Sequence, residues 1–321
     1  MTLKVDLVLK IIDLKKNIEV EKADGPLCLL LGNFDGVHRG HVYLATLALA
    51  EGAKNGLKVG VWTFADHPMD TLSGRKNAYL TSMEEKNEIF ASLGVDYMIY
   101  EDFSAVRFCG PDEFAQRVLI DGLDCRFAVC GFNFRFGKDG QGNAESLKDI
   151  FESRGRCVTV ADAVSLKDTV VSSTVVRSMI EEGNTEGASE LLGRPYSVTL
   201  PVEYGKQLGR TMGLPTINQR FPENRVRPKC GIYACTCLVD GQTYKGVANV
   251  GSRPTVNGDE GDVNCETHII DYNGWLYGKM VKVSFYGRLR DEKRFEGVDE
   301  LKSAITGDVI AAREYFSKKG L

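Results

Sequence analysis

Two stretches of this chain combine glycine with histidine, lysine or arginine in a way suited to gripping a polyphosphate. The first is GNFDGVHRGH at 32–41, between the apolar run PLCLLL at 26–31 and the helix-like stretch VYLATLALAEGAKN. Gly32, Gly36 and Gly40 let the backbone turn tightly and approach a ligand. A helix starting near Arg39 aims its free N–H groups and the positive end of its dipole at that turn. His38 and His41 stand three apart at the helix start, so both imidazoles face the same ligand and can donate to phosphate oxygens. Two of the four histidines in the chain fall inside this motif.

The second stretch is EYGKQLGRTMGLPTINQ at 203–219. Gly205, Gly209 and Gly213 make a flap that carries Lys206 and Arg210 and can close over phosphates. Thr216 and Asn218 follow in an extended segment, two residues apart, so their oxygens project from one face and suit Mg²⁺ bridged to a nucleotide. In NCETHIID at 264–271 the period of two puts Glu266 and His268 on one face and Cys265, Thr267 and Ile269 on the other. A carboxylate facing the flap can accept the proton of a primary alcohol. There is no GxxxxGK[ST] in the chain, so this phosphate grip differs from a P-loop.

The spelling of these motifs adds a resemblance. GNFDGVHRGH resembles the flavin-adenylylating branch of the nucleotidylyltransferase superfamily, CGFNFRFG at 130–137 its GxDFRFG or GENFxFG segment, and VSSTVVRSMI at 171–180 its ISSTxIR element. The resemblance implies ATP binding by Gly32, Asn33, Phe34 and Asp35 together with His38 and His41. It places Ser172, Ser173, Thr174 and Arg177 at the transferring phosphates, and has Asn133, Phe134 and Arg135 shape the nucleotide and flavin site. His38, His41 and Arg177 are the implied catalytic groups. The implied reaction is attack of the FMN phosphate on the α-phosphorus of ATP; this nucleophile is already an anion, so positioning and charge neutralisation suffice. One departure stands out: in TFADHP at 63–68, Ala65 occupies the place of the family's acidic residue, and Asp66 is the candidate to take over its role.

GRTMGLPTIN resembles the riboflavin kinase motif GRxLGFPTAN, and matches continue through GIYA, GVANVGSRPT, CETHIIDY, LYG and RLRDEKRF at 288–295. This implies ATP binding by Gly205, Lys206, Gly209, Arg210, Gly213, Thr216 and Asn218, with the last two also holding the metal. Glu266 matches the general base that activates the riboflavin 5′-hydroxyl, and Arg288 and Arg290 match a segment bordering the flavin. Trp275 and Tyr277 fit either a ring-stacking role or the core. The order of motifs is that of the bacterial bifunctional riboflavin kinase/FAD synthetases. Expected substrates are therefore riboflavin, FMN and ATP with Mg²⁺, with FAD as product. The alternatives are a kinase whose adenylyltransferase half has weakened, and a non-catalytic flavin binder.

Positioning such groups needs two different scaffolds. Up to about residue 182, apolar runs at 26–31, 58–64, 95–100, 126–130 and 156–164 alternate with helix-like segments. That is the pattern of an α/β, doubly wound parallel sheet, with ligands beyond the strands' C-terminal ends. From about 196, strand-like runs joined by turns such as Asp240-Gly241 and Asn273-Gly274 predict an antiparallel β-barrel. A final helix carries Val298, Leu301, Ile305, Val309, Ala312 and Phe316 in one stripe. Glycines between 183 and 195 break the helical pattern and set domains of 1–185 and 186–321.

Net charge is −4 with no dense basic block, which gives nucleic acid no electrostatic footprint. No apolar stretch approaches the length of a membrane span. Nine cysteines without a CxxC pair read as buried free thiols in a reducing cytoplasm.

Overall fold

A computed structural model describes residues 9–14, 23–65, 78–205, 209, 213–252 and 263–321. Asp66, Lys206 and Arg210, assigned above to phosphate or nucleotide contacts, lie outside these residues. The chain divides into two compact units between Ser172 and Ser173.

The first unit is built on strands β1 (Lys10–Asp13), β2 (Leu27–Leu31), β3 (Lys58–Phe64), β4 (Tyr97–Glu101), β5 (Cys125–Gly131) and β6 (Cys157–Ala161). They form one parallel sheet in the order β1-β4-β3-β2-β5-β6. Leu27, Leu29, Leu31 and Trp62 pack into one core, while Cys28, Leu30 and Val61 pack into another. With both faces covered, the central strands read as unbroken apolar runs. Helices α1 (Arg39–Asn55) and α2 (Met83–Leu93) cover the second core; the helical segment 111–122 and α3 (Ala144–Glu152) cover the first. From β2 the chain moves out to β3 and β4, then returns to β5 on β2's other side. This reversal opens a crevice beyond the C-terminal ends of β2 and β5, where ligands of such sheets bind. The turns GNFDG and GFNF leave the sheet there. Sequence patterning did not reveal β1, a four-residue edge strand paired with β4.

In the second unit, α4 (Ser173–Glu181) and α5 (Thr185–Leu192) precede six strands. The glycine-containing stretch read as a join is mostly helical: Gly183 ends α4 at φ 87°, Asn184 caps α5, and Gly193 ends it at φ 78°. Those glycines terminate helices; they do not form a linker. Val176 and Ile180 of α4 are fully buried, and the Ile180 carbonyl accepts the Lys229 N–H. That packing places α4 in this unit.

Strands β7 (Tyr196–Pro201), β8 (Thr216–Arg220), β9 (Gly231–Val239), β10 (Gln242–Ser252), β11 (Val263–Ile269) and β12 (Met280–Arg290) form an antiparallel sheet in the order β7-β12-β9-β10-β11-β8. Buried Gln219 curls it into a barrel. From β8, at one end of the sheet, its amide donates to the carbonyls of Leu200 on β7 and Val281 on β12, at 2.7 and 2.8 Å. Asp240 and Gly241, at φ 47° and 82°, make the tight β9–β10 hairpin their types predict. Asn273-Gly274 does not close a hairpin; it sits within the longer connection from β11 to β12, where Asp271 and Gly278 take the left-handed conformation. Helix α6 (Val298–Lys319) lies on the sheet through Ala312 and Phe316, while Val298, expected in its buried stripe, is exposed.

Candidate active sites

The turn after β2 is held by an unusual number of polar ties. Phe34 and Val37 adopt φ 53° and 38°, which costs free energy in residues other than glycine and persists only where the surroundings enforce it. Thr63 at the end of β3 and Lys86 on α2 both donate to the Asn33 carbonyl, at 3.1 and 2.9 Å. The Asp35 carboxylate accepts the N–H groups of Leu80 and Thr81, and the Thr81 hydroxyl accepts the Gly36 N–H. Asp35 is buried and ties the turn to the segment before α2. A Cβ on Gly32 would come within 2.8 Å of the Phe34 ring, so only glycine fits there.

His38 is the N-cap of α1, and its Nδ1 accepts the His41 N–H. Used in this way, Nδ1 carries no proton in the neutral ring, so Nε2 bears the hydrogen and is the donor. The His38 and His41 rings stack 3.6 Å apart, and His41 sets an edge against Phe34. Two imidazoles are thus held together at a helix N-terminus. That is a site for an anion.

Lys86 could not be found from sequence. It lies in the first turn of α2 among acidic neighbours with nothing to mark it, yet it is buried beneath the turn that follows β2. Burial pulls its ammonium down to about 8 against the opposing pull of Asp35. The charge is therefore present below about pH 8 and lost above it. Lys86→Met should raise the KM for ATP in the adenylyl transfer about tenfold, the scale of one charged hydrogen bond. A KM that climbs in the wild type as pH passes 8, and stays flat in the variant, would check the assignment.

Beyond β5, Asn133 and Arg135 are exposed, Phe134 is partly buried, and the Phe134 and Phe136 rings stack at 5.6 Å. Ser172 belongs to the first unit, whereas Ser173, Thr174 and Arg177 lie on α4 in the second.

In the barrel, one transverse row gathers polar side chains on one face. Asn218 on β8 stands opposite Glu266 on β11, Glu266 opposite Asn249 on β10, Asn249 opposite Ile232 on β9, and Ile232 opposite Arg290 on β12. Paired residues share a face, so all five point the same way. Thr216, two residues from Asn218, donates its hydroxyl to Glu266 Oε1 at 2.7 Å. His268, on the Glu266 face as expected, is hydrogen-bonded through Nδ1 to the Pro215 carbonyl at 2.9 Å.

Two cavities meet at Thr216. The smaller, ≈ 130 Å³, is lined by Glu266, Asn249 and Arg290 and roofed by Leu301, Ile305 and Asp308 of α6. The larger, ≈ 530 Å³, runs past Gly213, Pro215, His268 and Tyr277. An alcohol in one and a triphosphate in the other would meet at the Thr216–Glu266 pair. Two flap glycines are required by crowding: a Cβ on Gly205 would strike the Asn218 amide at 2.4 Å, and one on Gly209 the Leu214 carbonyl at 2.4 Å.

Comparison with known proteins agrees with this geometry. The sequence model of a family described as riboflavin kinase matches residues 192–316, and one described as FAD synthetase matches residues 20–175. The bifunctional riboflavin kinase/FMN adenylyltransferase of Bacillus subtilis is 33% identical over 90% of this chain and 92% of its own. Its namesakes from Listeria monocytogenes and Escherichia coli K12 are each 36% identical over the same shares. This chain belongs to the bifunctional riboflavin kinase/FMN adenylyltransferase family.

Among solved structures, one from Streptococcus pneumoniae titled a macrolide-efflux protein matches with a TM-score of 0.83 at 28% identity, covering 95% of this chain and 99% of its own. No helix among the described residues is long and apolar enough to cross a membrane.

In the riboflavin kinase half, the two arginines expected at the flavin part company. Arg290 lines the smaller cavity, where Asp308 clamps it at 2.7 and 2.6 Å. Arg288 instead binds the Cys230 carbonyl and Asp291, and packs against Gly183 and Gly231. Trp275 is exposed and edges onto Tyr277, which stacks on Tyr204 at 4.2 Å. Tyr277 lines the larger cavity, and neither it nor Trp275 belongs to the core. Asp308 and Asn249 were missed. Asp308 belongs to a helix read only for its apolar stripe, and Asn249 lies in a matched segment, GVANVGSRPT, that gave it no role.

Mg²⁺ fits the donors present. Thr216 and Asn218 offer hard oxygens beside a carboxylate, and no group of three or more His, Cys, Asp or Glu side chains among the described residues could form a closed protein cage. An ion held by two protein oxygens completes its shell from phosphates and water.

Proposed function

We propose that the two halves act in series, with each residue in a defined role. The barrel transfers the γ-phosphoryl group of ATP to riboflavin. Glu266 takes the proton of the 5′-hydroxyl, Thr216 fixes that carboxylate, and Thr216 with Asn218 would hold Mg²⁺, which would neutralise charge on the triphosphate. Arg290, held by Asp308, borders the flavin. The parallel-sheet half transfers AMP from ATP to FMN. There Gly32, Asn33 and Phe34 form the cradle, the Nε2–H groups of His38 and His41 meet the phosphates, and Asp35 with Lys86 keeps the turn in shape. Phe134 and its neighbours Asn133 and Arg135 border the flavin, while Ser172, Ser173, Thr174 and Arg177 keep the phosphate role their motif implies. The carrying observation is the Thr216–Glu266 hydrogen bond inside the row that also holds Asn218.

Incubation with riboflavin, ATP and Mg²⁺ should yield FMN first and then FAD, separated by chromatography. FMN without FAD would reduce the protein to a kinase, and unchanged riboflavin would leave a flavin binder. A cytoplasmic setting is supported by the thiols: all nine cysteines are free, and burial pushes Cys28, Cys130 and Cys265 up to about 12, which keeps them protonated and inert.

The kinase domain spans 186–321, and α4 packs against it as an added helix. Fragments 173–321 and 186–321 should therefore both phosphorylate riboflavin. The longer should melt several degrees higher, since it keeps the buried Val176 and Ile180. Calorimetry and an FMN assay on both would check this, and an inactive shorter fragment would move the boundary to α4.

A further inference from the structure

The row that carries Glu266 holds one more polar group, which the phosphoryl transfer itself does not need. Asn249 stands directly opposite Glu266 and lines the same cavity. Its Oδ1 is buried and has no hydrogen-bond partner among the described residues. Native proteins seldom leave a buried acceptor unmatched, because it has lost its water and gained nothing in return. An unmatched acceptor on a residue that lines a substrate cavity calls for a donor on the substrate.

The surroundings say which donor. On one side of Asn249 is the carboxylate that receives the terminal hydroxyl; on the other the row runs through apolar Ile232 to the Arg290–Asp308 pair, and Phe295, Leu301 and Ile305 add apolar lining to the same cavity. A flat ring belongs at that apolar end and a polar chain between ring and base. Adjacent strands lie about 4.8 Å apart, so Asn249 stands about that far along the row from Glu266. This is the reach from a terminal hydroxyl to one of the next two along a polyol.

We infer that Asn249 Oδ1 accepts a hydrogen bond from a secondary hydroxyl of the ribityl chain, at the 3′ or 4′ position, and so makes the kinase half selective for a polyol chain. The inference rests on the kinase reading of the barrel and adds a substrate contact to it.

The test compares kcat/KM for riboflavin, 3′-deoxyriboflavin and 4′-deoxyriboflavin in the full-length wild type and in Asn249→Leu, which keeps the volume and removes the acceptor. The wild type should lose about tenfold on one deoxy analogue, the scale of one buried hydrogen bond. The variant should treat that analogue and riboflavin alike. A ratio measured within one preparation does not depend on how much of it is folded. If turnover by the variant is too slow, flavin fluorescence quenching gives the same ratio from binding. A wild type indifferent to both analogues, or a variant that still discriminates, overturns the inference. The wild type with riboflavin itself keeps the two readings apart, since riboflavin left unphosphorylated there would count against the kinase assignment, whereas FMN formed without discrimination between the analogues would count only against Asn249.

Discussion

Glu266→Gln should reduce FMN formation by about 10²–10⁴-fold, the range a positioned general base contributes, while FAD formation from supplied FMN stays at the wild-type rate. Glutamine keeps the length of the side chain and an oxygen to accept from Thr216, so the 2.7 Å contact and the row around it can persist. What disappears is a group able to take a proton. A primary alcohol is a poor nucleophile while it keeps its proton, so the loss should fall on kcat and leave the KM for riboflavin within about twofold. A rise in KM with kcat preserved would make Glu266 a binding group. Undiminished FMN formation would remove the base from the barrel face altogether. Glu266→Asp, with the carboxylate drawn back by one methylene, should recover part of the rate.

Sequence and structure agree most closely where a residue's chemistry matched the period of its element. Glu266 and His268 were placed on one face by alternation alone, and Thr216 and Asn218 likewise, because a strand in a barrel has no other option. The helix start at Arg39 was legible from the glycines and histidines before it. What escaped depends on pairs distant in the chain. Nothing in GVANVGSRPT says that Asn249 lands beside Glu266, because that neighbourhood is set by strand order in the barrel. Lys86 is 53 residues from the carbonyl it holds, and a lysine on a helix is normally solvated. Position 65 shows the reverse. The residue type announced a departure from the family pattern, and the structure has Ala65 packed at the margin of the core with its N–H bonded to the Glu101 carbonyl. Arg288, which stands in a matched segment, binds the Cys230 carbonyl, a contact that the charge of the residue alone does not announce.

Replacing both histidines of the cradle should abolish the other activity in mirror image. In His38→Asn/His41→Gln, FAD formation is expected to fall by about 10²–10⁴-fold, two charge-assisted hydrogen bonds at about 1.5–3 kcal/mol each, with riboflavin still converted to FMN. Asparagine is chosen at 38 because His38 caps α1. An alanine there would remove the cap as well as the imidazole and cost about 1 kcal/mol of helix stability, whereas asparagine caps well and isolates the loss of the ring. The single variants should not sum to the double. With the rings stacked at 3.6 Å and the His41 N–H bonded to His38 Nδ1, removing either one frees the other to move, so each single loss already contains part of its neighbour's contribution. A double variant that still makes FAD at the wild-type rate would place the α-phosphate away from this helix end. Accumulated FMN with no FAD would fix it there.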